Sequence, residues 1–324
     1  MHARRLAGVA SLMVIATTLA WQPVAQVQEQ PVRIVFPFVA GGSGDTLSRL
    51  VADKMHAALG RPVIVENRTG GAGRVGVVAV RNSAPDGNML LLTPIAPVAV
   101  YQHVYKNLDY DPVGDFAAIS QLATFDFAVA VGPQVPAQTL KELVAWVKAD
   151  PARAAFGSPA AGALPHFFGI LFGRAAGLEL RHAPYRGSAA ALADLTAGHI
   201  PMVFTTLSDL VGMHKAGRIR ILASSGTARS PFVPGVPTFR EAGYDIEGSA
   251  WYGAFAPAKT PKVVVDRYSK IMADAVQAPD VKERLLNFGL QPTGTTAAEL
   301  AAIQKADSAR WGPAVKASGF MPIQ

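Results

Sequence analysis

The sequence predicts an α/β protein built as two lobes. Three observations carry that expectation. Short apolar β-like runs alternate with segments whose apolar residues recur at helical spacing, an order that implies parallel strands joined by helical crossovers. The alternation comes in two series of about a hundred residues each, the size of ordinary domains. Glycine-rich turns close strands in both series, and α/β sheets take their ligands at those strand ends. The 324 residues suffice for two domains, half of them are apolar, and only 16% are charged, a balance that excludes disorder.

The first run, VRIVFPF at 32–38, reads as a strand buried on both faces. It stops at AGGSGD (40–45). A helix follows over 46–59, with Leu47, Leu50, Val51, Met55, Ala58 and Leu59 at helical spacing and Gly60 and Pro62 ending it. PVIVEN (62–67) is a second strand, RTGGAGRVG (68–76) a second glycine turn opening a helix of small residues, and NMLLLT (88–93) a third strand. The second series has a helix over 140–148. The strand AAFGSP (154–159) then runs into the turn GSPAAGALPHF. The strand RHAPYRG (181–187) enters a fourth turn and a helix to Ala197, and IPMVFTT (200–206) and RIRILASS (218–225) are further strands. SAWYGAFAPAKTP (249–261) leads into helical patterns at 262–277, 280–288 and 297–317, which have no strands of their own and are expected to pack back on the first lobe. The expected division is residues 30–125 and 250–324 in lobe 1 and residues 126–249 in lobe 2.

The N-terminus carries His2, Arg4 and Arg5, then an apolar stretch from Leu6 to Trp21, with no acid before Glu29. That is the layout of a secretory signal peptide. The stretch is short for a membrane span, and polar, Pro-containing sequence follows at once, so residues 1–25 are read as a signal peptide and the mature chain as exported. Cysteine is absent, which excludes disulfides, thiol catalysis, iron–sulfur clusters and a lipidated N-terminal cysteine. The net charge of +7 is not gathered into any Lys/Arg run and no aromatic-basic RNA motif occurs, so nucleic acid is not an expected partner. A mild basic excess suits a small anionic ligand.

Catalytic signals are absent. None of the seven histidines (His2, His56, His103, His166, His182, His199 and His214) falls in a metal-ligand spacing, and no cofactor is expected. GxSxG does not occur, no GK[ST] follows the glycine turns, and GGSGD is not GxGxxG. His166 opens a helix beside a glycine turn and reads as a cap or wall residue rather than a base. Asp45 reads as a helix cap. In the first turn the N–H groups of Gly42, Ser43 and Gly44 are available to an anion, because glycine permits close approach and a helix start leaves donors unpaired. The alternative is a plain strand-to-helix turn. Glycine turns, two lobes, an export signal and no catalytic constellation favour a ligand clamp over an enzyme.

Eight segments carry a resemblance in order: PFVAGGSGDTLSR (37–49), GRPVIVENRTGGAG (60–73), APDGNMLLLT (84–93), LDYDPVGDFAAIS (108–120), FGSPAAGALPH (156–166), APYRGSAAALADLTAGHI (183–200), SPFVPGVPTFREAGY (230–244) and WYGAFAPAKTP (251–261). Through them the chain, from about residue 31 to 320, resembles the receptor proteins of tripartite tricarboxylate transporters, the Bug family of periplasmic solute-binding proteins. The resemblance implies a two-lobed periplasmic binding protein of the type II class with its ligand cleft between the lobes. It implies a periplasmic, non-enzymatic, monomeric protein that delivers an organic carboxylate to inner-membrane permease subunits. The ligand-binding residues it implies are Phe38, Ala40, Gly41, Gly42, Ser43, Gly44 and Asp45 in the first turn and Ser158, Ala161, Gly162, Ala163 and His166 in the turn that opens the second lobe. Three departures matter. Ala160 and Ala163 replace a glycine and a serine, Thr205 replaces an acid, and Arg74 replaces an asparagine. Without the acid at Thr205, a ligand with a free ammonium is disfavoured. Arg74 and Arg186 are candidates to pair with a distal carboxylate, and Phe38, Phe125, Phe127 and Trp251 to form an aromatic wall. The expected ligand is a dicarboxylate or an aromatic acid. Two other roles share these features: a sensory partner of a membrane receptor kinase, and an exported α/β hydrolase.

Overall fold

The computed structural model describes residues 30–323; the signal-peptide reading of residues 1–25 lies outside them. Val32–Phe36 (β1), Val63–Asn67 (β2) and Met89–Pro94 (β3) run parallel with β1 in the middle, and the helices Ser43–Leu59 (α1) and Arg74–Arg81 (α2) cross between them. β1 is buried at every residue except Arg33, as its continuous apolar run requires. A π-helical turn over Ala96–Val100 follows β3, and the chain then enters Phe116–Val131 (β4).

The second series is Leu140–Ala149 (α3), Ala155–Ser158 (β5), Leu164–Ala176 (α4), Arg181–Pro184 (β6), Ser188–Ala197 (α5), Met202–Thr206 (β7), Leu207–Lys215 (α6) and Arg220–Ser224 (β8). The chain returns through Ser249–Pro257 (β9) and ends with Lys262–Gln277 (α7), Pro279–Asn287 (α8), Gln291–Pro292 (β10) and Ala297–Ala317 (α9).

These strands form two sheets that share β4. The first has the order β2-β1-β3-β9-β4-β10 and the second β6-β5-β7-β4-β8. Up to Asp126, which faces Ser249, β4 pairs antiparallel with β9; from Phe127, which faces Thr206, it pairs with β7 and then β8. Side chains of a strand alternate between faces. In the second sheet Ala128 and Ala130 accordingly pack with Leu192, Leu195, Leu207 and Leu210 under α5 and α6, while Phe127, Val129 and Val131 join the larger core on the other face. The helices α7 and α9 pack against β4, and Thr296 opens α9 with a capping box to Glu299. No helix among the described residues is long and apolar enough to cross a membrane.

Several elements go beyond the sequence expectation, among them β9, β10 and the turn over Ala96–Val100. The 16-residue strand β4 is unanticipated because Gln121 and Asp126 interrupt its apolar pattern. The helix α6 is also unanticipated, because β7 runs into it at Thr206–Leu207 with no intervening turn residue.

Candidate functional site

A cleft of about 580 Å³, its open mouth included, lies between the two sheets. Phe36, Phe38, Val39 and Gly42 line it from the first turn, Pro94, Ile95 and Ala96 from the end of β3, and Phe125 and Phe127 from β4. Pro159, Ala160, Ala163, Leu164 and Pro165 line it from the start of the second lobe, together with Gly187 and Ser188. The lining side chains are apolar apart from the Ser188 hydroxyl, so polarity comes from the backbone.

Three of these residues, Gly42, Ala163 and Gly187, are the N-caps of α1, α4 and α5, and none of the three helices is capped by a side chain. Glycine and alanine have no side-chain oxygen with which to satisfy the first N–H groups, so no cap takes those of α5 or that of Leu164 in α4, where Pro165 has no N–H and His166 donates to the Ala163 carbonyl. Each helix start also carries a partial positive charge of about half a unit. Three such ends on one apolar cavity form an environment suited to an anion with an apolar body.

The first turn is held from beneath. Gly41 adopts φ +97°, and its N–H donates to Asp45 Oδ2 at 3.1 Å. Asp45 also accepts from Arg49 Nη2 and from Asn67 Nδ2, each at 2.9 Å. Burial alone would raise the Asp45 pKa, but these bonds outweigh it and hold the carboxyl below the usual range. The expected helix cap is therefore corrected: Gly42 occupies the cap position, and buried Asp45 clamps the turn. The Ser43 N–H, expected to face the ligand, donates instead to Asp209 Oδ1 at 2.7 Å, and its hydroxyl bonds to Tyr252 at 3.1 Å. Gly44 is packed beneath Phe36 and Tyr252. Ala40 and Gly41 lie exposed on the outside of the turn.

In the second turn, Ala160 and Ala163 reach the cavity. The Ser158 hydroxyl donates to the Ala160 carbonyl at 3.2 Å and bonds to His182 Nε2 at 2.7 Å. Gly162, at φ +72°, donates its N–H to His166 Nδ1 at 3.1 Å and packs on Val104 of the first lobe. Ala161 is partly exposed beside it. The His166 and His182 rings stack at 3.7 Å, and burial pushes their pKa values down to about 4 and about 3. A neutral His166 can accept the Gly162 N–H, so it acts as a clamp on the turn and lies outside the cavity lining.

The remaining candidates are spread out. The Arg74 guanidinium lies over the Tyr105 ring at 4.2 Å and pairs with Asp109 at 3.8 Å, away from the lining. Arg186 is exposed and contributes its carbonyl, which accepts the Val39 N–H across the lobes at 3.3 Å. Thr205 is buried and donates to Ser188 Oγ at 2.9 Å. Phe38, Phe125 and Phe127 form the aromatic wall, whereas Trp251 points elsewhere and donates its indole N–H to Asp307. Sequence reasoning did not find Asp209 or Ser188.

Residues 47–320 match the profile of the family described as "Tripartite tricarboxylate transporter family receptor". The chain belongs to that family. An Agrobacterium vitis protein described by its place in the TAR-I ttuE-ttuC' intergenic region is 34% identical over 300 residues, which cover 91% of this chain and 86% of the relative. Among solved structures, the periplasmic binding protein BugD aligns with a TM-score of 0.87 at 30% identity, over 91% of this chain and 99% of BugD. Rpa4515 of R. palustris, solved with adipate, aligns with a TM-score of 0.85 at 28% identity, over 89% of this chain and 97% of that one. The tripartite tricarboxylate transporter receptor described here thus has the two-lobed fold of periplasmic binding proteins, with its cleft where the sheets meet.

Proposed function

We propose that this receptor binds an organic acid in the interlobe cleft and delivers it to inner-membrane permease subunits of a tripartite transporter. Its place would be the periplasm, reached through the N-terminal signal. The lobes would turn about the segments where β4 and β9 pass between them, near Asp126 and Ser249. The ligand carboxylate meets N–H groups at the starts of α4 and α5, and an apolar body, aromatic or aliphatic, fills the space between Phe38, Phe125 and Phe127. The convergence of the uncapped starts of α4 and α5 on an apolar cavity carries this reading. The adipate held by Rpa4515 supports the acid class. Arg74 has no part in it, since Tyr105 and Asp109 engage it.

Thermal melts of the mature chain with benzoate, phenylacetate and hexanoate, set against benzamide and hexanamide, test the reading. Acids at a hundredfold excess over their Kd add about 2.7 kcal/mol of stability, and the neutral amides add little. Equal shifts with amides and acids, or no shift with any acid, would overturn it.

A further inference from the structure

Asp209 lies in the first turn of α6, in the second lobe, and reaches the first lobe beside the cleft, in a neighbouring cavity that shares Gly42 with it. Its Oδ1 accepts the Ser43 N–H at 2.7 Å and stands 3.7 Å from the place a Cβ on Gly42 would occupy. The hydroxyls of Ser43 and of Ser188, a cavity-wall residue, lie close enough to favour its charged form. Thr205 then donates to the Ser188 hydroxyl at 2.9 Å and holds it in place. Ser43 is the first residue of α1, so this carboxylate sits where a helix start offers both a donor and partial positive charge. Among the described residues no cation pairs with it; its partners are serines.

We propose that Asp209 determines specificity in this receptor: lodged beside the cleft on the Ser43 N–H, its carboxylate fills the anion position at the start of α1, so the receptor takes acids with one carboxylate and rejects the second carboxylate of a diacid. The inference rests on the reading that the cleft binds an organic acid. Of the three helix starts on the cavity, α1 is neutralised from within the chain, and α4 and α5 are left for the ligand. A second ligand carboxylate placed toward α1 meets a like charge, an element of repulsion that separates diacids from monoacids. A role as receptor for a ligand ammonium fits less well, because Oδ1 is already held by the Ser43 N–H at the start of α1.

Titration calorimetry with two matched pairs tests the proposal: hexanoate against adipate, and 3-phenylpropanoate against phenylalanine. The proteins are the wild type, Asp209→Asn, which keeps an acceptor for Ser43 while removing the charge, and Asp209→Ala, each first checked for a cooperative melt. The wild type is expected to favour hexanoate over adipate by roughly tenfold or more, the Asn variant to narrow that preference and the Ala variant to abolish it. Equal wild-type affinity for hexanoate and adipate overturns the proposal, as does a preference unchanged in both variants. A wild-type preference for phenylalanine that Asp209→Asn removes also overturns it, by making Asp209 an ammonium receptor. Failure of all four probes with all three proteins removes the organic-acid reading and this inference with it. Hexanoate binding with an unaltered preference removes the inference alone.

Discussion

Asp126 sits between two wall residues, and its position explains its titration. Phe125 and Phe127 line the cleft, so strand alternation turns Asp126 to the opposite face, where Ser225, Gly226, Arg229, Glu247 and Arg310 surround a second cavity. Burial pushes its pKa up to about 6. A folded-state pKa above the unfolded value of about 3.9 means that the folded chain binds the proton more tightly. That contribution to stability is complete below the unfolded pKa and is lost as pH rises through about 6. Asp126→Asn should therefore raise stability at neutral pH by about 1–2 kcal/mol, and the gain should vanish below about pH 4. Paired thermal melts across that range check it, and a variant less stable at neutral pH would contradict it. At this scale the aromatic wall was legible as candidate residues, with Phe38 closing a recognisable apolar run, although the strand β4 that carries Phe125 and Phe127 was not anticipated. Asp209 was not legible, because its partner lies 166 positions away in sequence. Arg74 was misleading for the same reason, since Tyr105 and Asp109 engage it from distant positions.

Among the elements, the first glycine turn shows how one motif divides its labour. The positive φ belongs to Gly41, while Gly42 has φ −87° and ψ 172°, a conformation any residue adopts. A Cβ on Gly42 would meet only Asp209 Oδ1, at 3.7 Å, whereas one on Gly44 would lie 2.5 Å from the Phe36 ring and 2.6 Å from the Tyr252 ring. Gly44→Ala should therefore cost about 1–3 kcal/mol through overpacking, and Gly42→Ala much less. Urea titrations of the two variants compare them directly; a larger loss at Gly42 would contradict this division. The sequence showed a turn suited to an anion but not which glycine does which task, since φ is set by the packing of Asp45 and Tyr252 beneath the turn. The helices α7 and α9 were legible from their apolar period. The strand β4 escaped notice because Gln121 and Asp126 interrupt its apolar run, and it passes from one sheet to the other at Asp126–Phe127.

For the whole molecule, two α/β series and the shared strand β4 produce a cleft whose walls come from both lobes. The two-lobed architecture was legible because each series repeats the strand–turn–helix order that forms a parallel sheet. The contacts that join the lobes were not, since the Val39 N–H to Arg186 carbonyl bond, the Ser43 to Asp209 bond and the packing of Gly162 on Val104 all link residues far apart in sequence. These contacts tie together the lobes whose residues line the cleft, so a bound acid would be enclosed by elements of both. The central claim is that the carboxylate of the ligand meets helix starts while its apolar body meets the phenylalanines. Crystals grown with 4-bromobenzoate and measured at the bromine absorption edge test it most directly. The account predicts one strong anomalous peak between Phe38, Phe125 and Phe127, with the carboxylate within hydrogen-bond reach of the first N–H groups of α4 and α5. A peak in the cavity behind Asp126, or a carboxylate turned toward the phenylalanines and away from the helix starts, would contradict it.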